Sequence, residues 1–175
     1  MENLSSTRLT SDIGYRIGVS QLGWFIDVFG HAWHHAVAAS LLTLVILLAH
    51  LYHTRHSQEW RLMAISLIMG MLVESLFIRS HLIIYIGTAS TSPWPPPWVL
   101  LLWPLFAITL PVWQLKLTYV PWQILVGSTC ALAYAAGVRA GAARFPHPAI
   151  SLSMMAVTWS GLLPLLVWLS KRLRL

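Results

Sequence analysis

Five stretches of this chain are each long and apolar enough to cross a lipid bilayer as a helix, or nearly so. A crossing needs about 20 predominantly apolar residues at 1.5 Å of rise each. Ala36 to Tyr52, Trp60 to Gly87, Trp98 to Leu115, Trp122 to Gly141 and Ala149 to Ser170 supply them. A sixth stretch, Ile13 to Ala32, is weaker because Arg16, Gln21 and Asp27 interrupt it. Hydrocarbon offers no partner to a backbone N–H or C=O, so such segments close their hydrogen bonds internally as helices. Charged residues fill only 9% of 175 positions, where a soluble domain carries roughly 25%. That is too little charge to coat a globule in water. The expected fold is all-α, an integral membrane bundle of six transmembrane helices.

Six crossings are favoured over five by the distribution of basic residues. With six, Arg8, Arg16, Arg55, Arg61, Lys116, Lys171, Arg172 and Arg174 share one side, and Arg139 and Arg144 the other. With five, Arg8 and Arg16 change sides and the bias weakens. Positive residues mark the cytoplasmic face. The chain therefore divides into a polar, partly disordered cytoplasmic arm at 1–12, a transmembrane domain at 13–170 and a basic cytoplasmic tail at 171–175. The start lacks the apolar core and cleavage site of a secretory signal. The net charge of +6 sits at the ends of apolar runs, which suits anionic headgroups and not nucleic acid. The single cysteine, Cys130, excludes a disulfide framework.

The connection TASTSPWPPPWV should be extended polyproline, with Trp94 and Trp98 anchored in the headgroup layer. Ala133, Gly137 and Gly141 recur every four residues. They form a small-residue face suited to close helix packing, within the chain or against another membrane protein.

Ionisable side chains inside a bilayer cost at least ~2.5–3.5 kcal/mol, so each one present is a functional candidate. Glu74 falls near the middle of the third apolar run, with Arg79 and His81 beyond it. Asp27, His31 and His34 share one face of the first. We expect these faces to pack together with Asp27 neutralising Arg79. The cluster Asp27, His31, Glu74, Arg79 and His81 is then either a polar staple fixing helix register or a site that moves protons or polarises a lipid headgroup. Histidine gives a second signal. HAWHH (His31, His34, His35) has the spacing of a desaturase-type metal box, and His50, His53 and His56 form another cluster. The two clusters fall at opposite membrane faces, which separates them. A metal or haem held by His31, His34, His35 or His81 stays open beside the reading of interfacial histidines without a ligand. No phosphate loop, nucleophile elbow or HExxH motif is present.

Several stretches resemble a bacterial inner-membrane family known as domain of unknown function 2878. They are QLGWF (Gln21 to Phe25), Glu74 with Ser75, PPPWVLLLWPLFAITL (Pro95 to Leu110), LAYAAGVRAGAARFP (Leu132 to Pro146) and WSGLLPLL (Trp159 to Leu166). The chain departs from the pattern at Thr129 and Cys130, where the family tends to have two glycines, and at PVWQLK. The resemblance implies a six-span fold. It also implies an accessory or lipid-binding role in acyl-chain modification or envelope maintenance, alongside a partner enzyme. A small membrane enzyme built on the polar cluster is the alternative.

Overall fold

A computed structural model of the chain describes residues 2–54, 57–87 and 92–173. Arg55 and His56, and the 88–91 part of the proline-rich connection, lie outside them. The described residues form eight helices and one two-stranded ribbon: α1 (Glu2–Ala32), α2 (Ala36–Thr54), α3 (Ser57–Arg79), β1 (Ile84–Tyr85), α4 (Pro97–Ala107), α5 (Leu110–Lys116), α6 (Val120–Thr129), α7 (Ala131–Ala140), β2 (Ala143–Arg144) and α8 (Pro148–Arg172). Four segments are long and apolar enough to cross a membrane: Ala36–Thr54, Gln58–Arg79, Pro97–Lys116 and Pro148–Arg172. The chain is therefore an all-helical, multi-pass membrane protein. Its outward faces suit hydrocarbon, with Val37, Leu41, Val45 and Leu48 exposed along α2.

The six expected runs map onto this fold with differences. α1 is helical from Glu2, so no break separates a disordered arm at 1–12 from the first run. The third run ends as helix at Arg79 and not at Gly87, because the chain turns there into β1. Glu74 consequently sits five residues from its helix end, ~8 Å at helical rise, and not at the centre of a span. The fourth run is two helices, since Pro111 has no N–H to continue α4. The fifth is also broken, at Cys130. There the hydroxyls of Ser128 and Thr129 donate to the carbonyls of Leu125 and Val126, both at 2.7 Å. Such back-bonding competes with the helical ladder. The Cys130 N–H turns to Gly127 O at 2.9 Å, a tighter i→i−3 bond.

Three helices end in the same way. His34 (φ 64°), His81 (φ 53°) and Gly141 (φ 91°) adopt the left-handed conformation. The next N–H returns to Gly30, Phe77 and Gly137 O respectively at 2.7, 2.9 and 3.0 Å. This paired return satisfies the last carbonyls of a helix.

Packing sets the positions that matter. α4 lies against α1, α2 and α3, and α8 lies against α5, α6 and α7. A Cβ on Gly127 would run into the backbone carbonyl of Trp159, so only glycine permits this α6–α8 approach. β1 pairs antiparallel with β2, Ile84 opposite Arg144 and Tyr85 opposite Ala143. The ribbon ties the end of α3 to the end of α7 and turns Tyr85 inward, where it is 6% exposed.

Candidate functional site

Glu74 is 1% exposed, yet its carboxylate is surrounded by donors from three other elements. Tyr85 donates to Oε2 at 2.6 Å from β1. Tyr134 of α7 and Trp103 of α4 both donate to Oε1, at 2.7 and 3.3 Å. Trp159 of α8 donates in turn to the Tyr134 hydroxyl at 3.3 Å. The Trp103 and Trp159 indoles stack with centroids 5.2 Å apart, and Phe77 meets the Tyr134 ring edge-on. Charge-assisted bonds of this kind are about twice as strong as neutral ones. Among the described residues no Lys, Arg or His forms an ion pair with Glu74.

Beside this carboxylate is a cavity of about 390 Å³. That lies within the ~300–1,000 Å³ range of small-molecule sites. Its wall is aromatic: Trp24, Trp98, Trp103, Trp113 and Trp159 all contribute, with Tyr85 and Tyr134 near Glu74. The protein's ten tryptophans thus split evenly. These five line the cavity, and Trp33, Trp60, Trp94, Trp122 and Trp168 are exposed on the outer surface. The exposed members of the lining include Gln21 of α1 with Ala133 and Ala136 of α7, so the cavity has an open side between those two helices. Gly137 lines it too, with open space where a Cβ would stand.

The sequence-predicted residues are distributed differently. Asp27 does not pair with Arg79. Asp27 is fully buried, and its carboxylate accepts no hydrogen bond from the described residues; His31 Nδ1 is 3.6 Å from Oδ1. Arg79 is exposed and lies over the Trp94 ring, 5.4 Å from its centroid. The expected broad packing of spans one and three is replaced by α4, which touches both α1 and α3. His81 does not share a face with Glu74, because it lies past the helix end. His34 is likewise a helix terminator, and both are exposed, as is His35. Among the described residues no three His, Cys, Asp or Glu side chains gather as metal ligands. His31 instead stacks on Trp98 with centroids 4.5 Å apart, and Trp98 meets Tyr85 edge-on at 5.5 Å. Trp98 is therefore cavity wall and not a headgroup anchor. Of the small-residue face, Ala133 and Gly137 line the cavity, and Gly141 caps α7.

A second polar cluster, missed in the sequence, joins α1, α2 and α3 at the opposite end of the bundle. Arg16 donates to Glu59 Oε1 at 2.7 Å, to Asp12 Oδ2 at 3.0 Å and to the Ile108 carbonyl at 3.3 Å. His50 Nε2 is 3.6 Å from Glu59 Oε2, and the Tyr15 ring stacks on His50. Arg16, His50 and Glu59 are all buried. Arg16 and Glu59 are paired directly, and His50 is packed against Glu59 and Tyr15, so the cluster reads as a structural joint.

Each stretch on which the family resemblance rests contributes to the cavity wall: Gln21 and Trp24, Glu74, Trp98 and Trp103, Tyr134 and Gly137, and Trp159. No curated protein and no solved structure matches the chain. The model of one family, described as a protein of unknown function (DUF2878), matches residues 15–165, and the chain belongs to that family.

Proposed function

We propose that this protein binds an amphiphile taken from the membrane, with the head beside Glu74 and the chain leaving between α1 and α7. The carrying observation is a buried carboxylate with three donors at the inner end of an indole-lined cavity. An apolar cavity with a few convergent polar groups is the usual form of a ligand site. Its open side is edged by small residues on α7, where a chain can lie close to the backbone. This reading supports a lipid-binding or accessory role in membrane-lipid modification or envelope maintenance.

In this reading α1 and the broken α6–α7 pair add two crossings to the four apolar ones, giving six. α1 supports this through Asp27 and Arg16, which are buried against other helices and not turned to lipid. The basic-rich side, holding Arg16, Arg61, Lys116 and Lys171, is cytoplasmic in a bacterial inner membrane.

The test uses fatty amphiphiles brominated on the acyl chain, which quench nearby indoles on contact. Saturable quenching of wild-type emission that is lost in Gly137→Leu, whose Cβ meets nothing within 4 Å and whose side chain stands at a cavity-lining position, supports the reading. Equal quenching of both proteins overturns it.

A further inference from the structure

The three buried acids differ in one respect. Glu59 has Arg16 at 2.7 Å and His50 at 3.6 Å. Asp27 has His31 at 3.6 Å. Glu74 has donors but, among the described residues, no basic partner, and the residues lining its cavity include no Lys, Arg or His. Neutral hydrogen bonds solvate a carboxylate without cancelling its charge, and a net charge is costly in a low-dielectric interior. Oε1 already accepts two bonds and Oε2 one. A carboxylate has about four acceptor positions, so Oε2 retains capacity.

What surrounds that capacity is selective for sign. Indole faces attract cations, more so when water is excluded, and recognition of ammonium groups by aromatic cages rests on this. Trp98, Trp103 and Trp159 line the same cavity as Glu74, Tyr85 and Tyr134. An anionic head here would meet a carboxylate and ring faces of the same sign. A neutral head would gain one hydrogen bond and leave the charge in place. A cationic head brings the site to neutrality and lies within an aromatic wall.

We propose that the amphiphile bound in this cavity has a cationic head, an amine or quaternary ammonium, held beside Glu74 within the aromatic wall. This rests on the cavity being a ligand site, and the experiment separates the two ideas. The intact protein is placed in phosphatidylglycerol nanodiscs, whose lipid has no ammonium group. Decyltrimethylammonium, decanol and decanoate are titrated below their micellar concentrations, reading tryptophan emission and thermal unfolding. The expected result is saturable binding of decyltrimethylammonium at least roughly tenfold tighter than either other probe, with that preference lost in Glu74→Gln. Should Glu74→Gln not fold, Trp24→Leu serves, since Trp24 lines the cavity but does not bond Glu74. It should weaken the ammonium probe by roughly fivefold and leave decanol unchanged. Decanol or decanoate binding as tightly as the cation, with Gly137→Leu abolishing both, overturns the cationic head while the cavity stands. Equal loss of all probes in Trp24→Leu does the same. Absence of saturable binding by all three probes overturns the cavity reading and the cationic head together.

Discussion

Tyr134 donates its hydroxyl to Glu74 at 2.7 Å across 60 positions of sequence, joining α7 to α3. A hydrogen bond to a charged group is worth about 1.5–3 kcal/mol. Tyr134→Phe should therefore destabilise the protein by about that amount in denaturant titrations of detergent-solubilised protein. Combined with Glu74→Gln, the loss should be smaller than the sum of the single losses, because both remove the same contact. Strict additivity would show that the bond does not form.

The joint at Arg16 predicts a larger effect. Glu59 and Arg16 are buried together, and removing one partner of a buried pair typically costs about 3–5 kcal/mol. Arg16→Ala and Glu59→Gln should each lower the midpoint of unfolding accordingly. The double variant should be little worse than either one. Unchanged midpoints in both single variants would remove the joint from the account.

His34 and His81 make the opposite prediction. Both occupy left-handed backbone positions that terminate helices, where a side chain costs about 1 kcal/mol and glycine almost nothing. His34→Gly and His81→Gly should each raise stability by roughly 0.5–1 kcal/mol, with the gain in the unfolded ensemble subtracted. Substitution by valine should lower it. If the imidazoles held a ligand in place, glycine would destabilise instead.

Two glycines a few turns apart should respond in contrasting ways. Gly127→Ala pushes a methyl into the Trp159 carbonyl, and overpacking of this kind costs about 1–3 kcal/mol. Gly137→Ala meets nothing within 4 Å and gains helix propensity of up to about 1 kcal/mol. Thermal unfolding of the two variants in the same detergent reads the contrast directly.

The six-crossing arrangement is open to labelling. In a Cys130→Ser background, a cysteine at exposed Thr118 should react with an impermeant maleimide only after the cytoplasmic side is opened. A cysteine at exposed His147 should react in intact spheroplasts. Both reacting from one side would show that the α6–α7 segment does not cross.

Apolar run length was enough to locate α2, α4–α5 and α8, because lipid exposure makes hydropathy nearly the whole determinant of a span. It could not place the breaks. Cys130 interrupts a run whose hydropathy gives no sign of a break, and the cause is local, in hydroxyls that return to carbonyls one turn back. Glu74 was legible as a candidate from its cost in the bilayer. Its partners were not. Tyr85 arrives through a two-residue strand and Tyr134 through a helix sixty positions away, and neither has a periodic signature tying it to α3. Helical spacing proposed Asp27, Arg79 and His81 because it assumes that the helix continues past Arg79 and that spans one and three meet at the level of Asp27 and Arg79. The left-handed turn at His81 and the insertion of α4 defeat both assumptions. The tryptophans were countable, but the equal division between outer surface and cavity wall depends on which way each helix face turns.

The bond from Arg16 to the Ile108 carbonyl spans 92 positions, and this sets a timetable for synthesis. When α1 leaves the ribosome it has neither Glu59 nor residue 108 to meet its guanidinium, and too few apolar side chains to settle in lipid by itself. The nascent chain must wait through three further helices before its first one can be locked, so a truncation upstream of Ile108 should leave α1 unanchored at the translocon and open to quality-control proteolysis.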